Sequence, residues 1–247
     1  MSNLYNSEGV TNAVDRVARR TPLLRAPGLS DQLGRPVWLK AECLQVTGSF
    51  KVRGAAARLS VLNDQERMRG VVSCSSGNHG RAVAYVAKEF GIPASVCVPE
   101  WVDPVKLEGI KRNGADAVLV GSTFDEAEAH ALELSERTGR TYISAYDDPW
   151  VIAGQGTIAL EILEQLGESP AAILAPLSGG GLLGGIASVF AERTEDQACR
   201  FVAVSAENAA VMLASVRAGY PIELGEEETL ASALAGGIGL NLSLIHI

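Results

Sequence analysis

Basic runs, metal-ligand spacings and long apolar stretches are all missing from this chain, and each absence removes a class of function. The formal net charge is −8, with no cluster of Lys or Arg, so a sequence-independent grip on nucleic-acid phosphates has no electrostatic support. No run reaches the ~18 apolar residues of a membrane span. The N-terminal region through Arg19 and Arg20 lacks the apolar core of a signal peptide. The expectation is a cytoplasmic protein with no nucleic-acid and no membrane partner. Cys43, Cys74, Cys97 and Cys199 form no C-x-x-C pair, which argues against a zinc cage or disulfide framework and reads as small core residues. His79, His130 and His246 show no ligand spacing either, so no metal site is expected.

What is present suits a folded enzyme-sized body. Over 247 residues, hydrophobic side chains make up 47% and charged ones 20%, the balance of an ordinary globular protein. From residue 70 onward, short Val-rich runs alternate with apolar residues at helical spacing. Strands are expected at 70–74, 94–98 and 117–120, with helices at 78–90, 104–112 and 125–137. A second series follows: helix 152–166, strand 171–176, helix 182–193 and strand 201–205. Strands alternating with helices imply α/β architecture with parallel sheets. The segment 142–150, with Asp147, Asp148 and Pro149, is the most linker-like break. After the glycine-rich turn at 236–239 the chain ends on Leu242-Ser243-Leu244-Ile245-His246-Ile247 with no closing helix, as though cut short.

Three constellations carry chemistry. Ser178-Gly179-Gly180-Gly181-Leu182-Leu183-Gly184-Gly185 follows a predicted strand and opens a predicted helix, where bare backbone amides and the positive helix end favour a phosphate. Gly179, Gly181 and Gly184 also satisfy G-x-G-x-x-G, with Glu207 after the next strand, so a dinucleotide site is a rival and close helix–strand packing a third reading. Thr47-Gly48-Ser49-Phe50-Lys51 places a lysine at the start of a predicted helix over 52–62. There the dipole and burial lower its proton affinity and suit it to Schiff-base chemistry; a surface lysine is the plainer reading. Ser75-Ser76-Gly77-Asn78-His79-Gly80 lies at a strand-to-helix turn, where amides suit an anion such as a carboxylate, or where Ser76 or Asn78 caps the helix.

Taken together and in this order, the segments resemble the fold-type II pyridoxal-phosphate enzymes, and especially the threonine/serine dehydratases. The motifs are Gly48-Ser49-Phe50-Lys51-Val52-Arg53-Gly54-Ala55, Ser76-Gly77-Asn78-His79-Gly80, Ala153-Gly154-Gln155-Gly156-Thr157 and Pro176-Leu177-Ser178-Gly179-Gly180-Gly181. The resemblance implies two three-layer α/β/α units like the tryptophan synthase β-subunit. A large cofactor-binding domain would take 1–51 and 146–247, and a small domain 52–145. Lys51 would bind pyridoxal 5′-phosphate as a Schiff base, Phe50 would pack on its ring, Asn78 would bond its 3′-oxygen, and the amides of Ser178, Gly179, Gly180, Gly181 and Leu182 would hold its phosphate. The substrate carboxylate would lie on Ser75, Ser76, Gly77, Asn78 and His79. The implied reaction eliminates water and ammonia from a β-hydroxy amino acid, threonine or serine, in a homodimer.

Departures qualify this. Ser76 stands where serine racemases protonate the opposite face, which implies racemisation as a side activity. Ser205 and Val211 stand where those racemases and several dehydratases carry acids of a cation site, so that site is expected to be absent. The same departure, along with Pro176-Leu177-Ser178-Gly179 and Leu234-Ala235-Gly236-Gly237-Ile238-Gly239-Leu240, is similar to the dehydratases of hydroxyectoine breakdown, whose substrate would be a hydroxylated diamino acid. The family's partner for the pyridine nitrogen would lie beyond the end of this chain. A dinucleotide-binding protein and an inactive fragment remain the alternatives from other classes.

Overall fold

The structure, a computed structural model, describes residues 8–75, 77–193, 199–225, 228–235, 237–238 and 242. Its elements run α1 (Glu8–Asp15), β1 (Leu23–Arg25), α2 (Pro27–Leu33), β2 (Trp38–Lys40), α3 (Lys51–Ser60), α4 (Asp64–Arg69), β3 (Val71–Cys74), α5 (Asn78–Phe90), β4 (Ala94–Val98), α6 (Pro104–Arg112), β5 (Asp116–Leu119), α7 (Phe124–Thr138) and β6 (Thr141–Tyr142). They continue with α8 (Pro149–Leu166), β7 (Ala172–Pro176), α9 (Gly181–Arg193), β8 (Arg200–Val204) and α10 (Val211–Ala218). The α/β class with parallel sheets is as expected. β3 to β6 form a parallel sheet in the order β5-β4-β3-β6, and β7 pairs in parallel with β8.

The four-stranded sheet is covered on both faces, which is why β3 and β4 read as continuous apolar runs. Val72, Cys74 and Cys97 pack with Ala127 and Ala131 of α7 on one side. Val71, Val96 and Val98 pack with α5, α3 and α1 on the other. On the smaller sheet, Ile173 and Phe201 face α8 and α9 through Ile158, Val189 and Phe190, while Ala172, Leu174 and Pro176 are exposed. The core reading of the cysteines holds for Cys74 and Cys97; Cys43 is exposed and Cys199 half-buried, because they sit in a turn beside β2 and just before β8 rather than in the covered sheet.

Helix α8 is the spine between the lysine-bearing α3 and the glycine-loop helix α9, and its glycines explain how. A Cβ on Gly154 would stand 2.4 Å from Arg53 O and 2.7 Å from Gly54 Cα, so α3 lies against its backbone. On α8's other side a Cβ on Gly156 would meet Gly185 O at 2.9 Å, and one on Gly185 would meet Ile152 O at 2.2 Å. Glycine within a helix costs about 1 kcal/mol relative to alanine; here it permits two backbone-to-backbone approaches within one turn. The Ala153-Gly154-Gln155-Gly156-Thr157 motif is thus a two-sided packing device.

A buried ion cluster fastens the same helices to the N-terminal strands. Arg53, with 0% exposure, donates through Nε and Nη2 to Glu42 at 2.9 and 2.8 Å and through Nη1 to Glu161 at 2.6 Å and Thr157 at 3.1 Å. Lys40 of β2 reaches the other oxygen of Glu161 at 2.5 Å.

Gly154→Ala tests the spine. Despite alanine's better helix propensity, the added methyl meets immovable backbone and should destabilise the protein by about 1–3 kcal/mol, read from urea midpoints. A neutral or stabilising change would show that α3 and α8 are not in backbone contact.

Candidate active site

Three of the sequence segments converge on one short stretch, 143–146, between β6 and α8. Lys51 opens α3 after a turn in which Gly48 has φ +77°, and Arg81 of α5 steadies that turn by donating to Thr47 O. The Lys51 amine donates to Ala145 O at 2.7 Å and lies 5.3 Å from the centroid of the Phe50 ring. His79 Nε2 lies 3.0 Å from Ile143 O, which also accepts from Ser73 Oγ at 2.9 Å. Tyr146 fits against the glycine loop: a Cβ on Gly179 would stand 2.4 Å from its ring, and one on Gly181 2.7 Å from its carbonyl oxygen. The lysine, the histidine and the glycine loop are thereby held by three residues, Ala145, Ile143 and Tyr146, within four consecutive positions.

Sequence reasoning missed this strap and took 142–150 for a linker. One signal was available at its end, where Asp148 caps α8 by accepting from Trp150 N and Val151 N with Pro149 at the first helical position. Asp148 also pairs with Arg58 of α3 at 2.9 Å. The acceptor role of Ala145 belongs to a backbone carbonyl and has no side-chain signature.

The remaining segments lie as follows. Phe50 is half-buried and packs against the cluster around Ile158 and Phe190. Ser75 is half-buried and its Oγ accepts from Gly77 N at 3.2 Å; Gly77 is the N-cap of α5 without a side-chain cap, and Asn78, its first residue, is exposed. Gly80 is needed for closure here, since a Cβ would stand 2.3 Å from Ser75 O. Ser76 lies outside the described residues. Ser178 and Leu182 are half-buried, Gly179 and Gly181 buried, and Gly180 has φ +87° in the turn into α9, whose first amides have no preceding helical turn to bond. Glu207 lies in a 3-10 turn beyond β8. Ser205 Oγ donates to Leu177 O at 2.9 Å and Val211 is buried. Among the described residues, no three His, Cys, Asp or Glu side chains are grouped to hold a metal.

Burial without a countercharge sets the electrostatics. It lowers the Lys51 pKa from 10.5 to about 8. His79 is pushed down to about 3, first by burial and then by the Lys51 charge, against the contact with Ile143 O. Around them, Ser49 Oγ, His79 Nδ1 and both carboxamide atoms of Gln155 are buried without a hydrogen-bond partner among the described residues. Ser49 is two residues from Lys51, His79 feels its charge, and Gln155 Nε2 abuts Gly54 one turn along α3. Orphaned buried polar atoms are costly and call for a ligand or water.

Comparison with known proteins accounts for this arrangement. Residues 14–246 match the family described as pyridoxal-phosphate dependent enzymes. A Sinorhizobium fredii relative carrying the threonine dehydratase name is 40% identical over 97% of this chain and 72% of its own length. The L-threonine ammonia-lyase of Thermotoga maritima is 38% identical over 95% of this chain and 58% of its own. Among solved structures, the processed form of threonine deaminase isoform 2 from Solanum lycopersicum superposes with TM-score 0.87 at 38% identity, covering 93% of this chain and 66% of that one. Maize serine racemase superposes with TM-score 0.87 at 32% identity, covering 96% of this chain and 73% of that one.

This chain belongs to the pyridoxal-phosphate-dependent enzymes of fold type II, and within them to the threonine dehydratase family. Membership makes the cofactor pyridoxal phosphate rather than a dinucleotide. The residues fit that cofactor: an amine of lowered proton affinity, a glycine loop at a helix N-terminus linked to it through Tyr146 and Ala145, and unpaired buried polar atoms beside it.

The sign of the Lys51 effect on stability can be checked in cofactor-free protein. Below about pH 8 both folded and unfolded chains hold this proton, and the folded state bears the cost of the buried charge. Between about 8 and 10.5 only the unfolded chain keeps it, so the contribution to stability rises with pH through that window. Lys51→Met should be more stable than the parent at about pH 7 and should lose this part of the rise by about pH 10, measured by urea unfolding. A variant with an unchanged pH profile would mean that the amine is not buried.

Proposed function

We propose that this chain carries the dehydratase and ammonia-lyase chemistry of its relatives, eliminating water and ammonia from threonine or serine to give a 2-oxo acid. The observation that carries this reading is the Lys51 amine, whose proton affinity is lowered by burial and which is docked on Ala145 O in contact with the strap that also supports the glycine loop. The chain spans 72% and 58% of the two relatives' lengths, so the activity of the whole protein is part of the proposal.

In this reading the amides of Ser178, Gly179, Gly180, Gly181 and Leu182 bind the cofactor phosphate, Phe50 lies against the ring, and Asn78 donates to its 3′-oxygen. When bound, the cofactor supplies an electron sink for the carbanion formed at the substrate Cα. Lys51 holds the cofactor and then, as a free amine, removes the α-proton; a pKa near 8 leaves a useful fraction of base at neutral pH. The substrate carboxylate rests on the segment Ser75, Ser76, Gly77, Asn78 and His79, and Ser76 is assigned, by the resemblance to serine racemases, proton transfer on the opposite face. The same proposal divides the chain into a large domain, 1–51 and 146–247, and a small one, 52–145, with the reaction between them. It also includes a homodimer in the cytoplasm. Among the described residues no helix is long and apolar enough to cross a membrane.

The test is release of 2-oxobutyrate from threonine and pyruvate from serine by the cofactor-loaded protein, run on this chain and on one extended to the length of the Sinorhizobium relative. Lys51→Ala should reduce turnover at least about 100-fold. Cofactor uptake with no 2-oxo acid from either substrate, in either length, would overturn the threonine/serine reading. Activity confined to a hydroxylated diamino acid would move the substrate to the hydroxyectoine branch.

A further inference from the structure

The His79 side chain has no part in the chemistry above, which uses only its amide, yet it is 3% exposed and sits at the centre of the strap's attachments. A carbonyl oxygen accepts and cannot donate, so the 3.0 Å contact with Ile143 O requires the proton on His79 Nε2. Nδ1 is buried without a partner among the described residues, and burial disfavours the charged ring, so Nδ1 carries a bare lone pair. Ile143 is itself fully buried, its N–H donates to Val72 O at 2.9 Å, and its carbonyl takes a second donor in Ser73 Oγ. Two residues further on is Ala145, whose carbonyl receives Lys51. The imidazole therefore anchors, from α5, the carbonyl two residues upstream of the one on which the reactive amine rests.

We propose that His79 is a positioning residue: as a neutral Nε2–H imidazole it holds the 143–146 strap from α5, so that Ala145 O fixes the Lys51 amine in a dry position on the strap that also meets the glycine loop. A neutral ring suits the task in two ways. It supplies the donor that α5 adds to Ser73 Oγ on Ile143 O, and it adds no second cation beside Lys51, the charge that acts on it. A carboxamide at this position keeps the donor without titrating; an aliphatic side chain fills the space but removes the donor from α5, leaving Ile143 O to Ser73 Oγ alone and loosening the strap.

The proposal rests on Lys51 being the functional amine, but its test is read on cofactor-free protein, so a failed activity assay and a failed positioning role are distinguishable. Lys51 is acylated over a pH series and its modification followed by peptide mass analysis. The parent should show a midpoint of about 8. In His79→Leu, water reaching the loosened amine should raise the midpoint by about one unit or more, whereas His79→Gln should stay near the parent value. A Leu variant that unfolds cooperatively and keeps the parent midpoint would overturn the proposal, as would a Gln variant shifted as far as Leu. Should the Leu variant not fold, nitrogen NMR of the unsubstituted protein decides. A neutral Nε2–H ring retained down to about pH 5 is expected, and an Nδ1–H tautomer, or a ring protonated above that pH, would overturn the assignment.

Discussion

The backbone contact between α3 and α8 is the constraint on which the rest of this structure depends. Gly154 lets Arg53 and Gly54 approach the α8 backbone, while Gly156 and Gly185 let α9 approach from the other side. A side chain at any of these points would hold the helices apart by the thickness of a methyl or more. Because Lys51 is the first residue of α3 and Gly181 the first of α9, that separation would carry the amine away from the glycine loop. Glycine's poor helix propensity is outweighed here by packing at interior density, where even one methylene is felt.

The buried Arg53 cluster fixes a different degree of freedom. Close helix contact sets distance but permits sliding, and a guanidinium that must meet Glu42 on one side and Glu161 on the other stops it. Such clusters contribute little net stability, because desolvation offsets the Coulomb gain, but a mispaired register leaves a charge buried alone. Lys40 binds Glu161 as well and also donates to Thr21 O at 2.7 Å, so the antiparallel β1–β2 pair is tied to the same point on α8. The fold therefore combines a steric contact that sets spacing with an ionic one that sets register.

How much of this was legible in the sequence follows from the range of the interactions involved. Helix α5 and strand β4 begin and end where periodicity placed them, and α6 likewise, since apolar spacing and local caps such as Asp103 specify them within a few residues. The three-residue β1 and β2, the two-residue β6, and the short α4 and α10 carry too few residues to show a period and went unrecognised. At the site, Lys51 and the glycine loop were recognisable because their chemistry demands particular residue types. The strap was not, because what it contributes is two carbonyl oxygens, from Ile143 and Ala145, and every residue has one. Gly179 was marked for a phosphate, yet its missing Cβ also makes room for the Tyr146 ring, a long-range contact that no local pattern encodes.

The contrast between two cations two residues apart on α3 shows how the fold produces reactivity. Burial opposes the charge on both. At Arg53 the hydrogen bonds and charges of Glu42 and Glu161 outweigh burial, and the guanidinium is held more firmly protonated than usual. At Lys51 burial is met by one carbonyl oxygen and no carboxylate, so the proton is held less firmly. Lys40 shows that the balance is quantitative, for even with Glu161 beside it burial wins and its proton affinity falls. Two residues of helix, about 200° of rotation, turn Lys51 away from the acidic cluster around Arg53, and the residues that do surround it, Phe50, Ala145 and a neutral His79, give it no anion. Because both are on one helix locked by α8, the chain keeps its compensating carboxylates on the structural cation and leaves the reactive one poised to give up its proton.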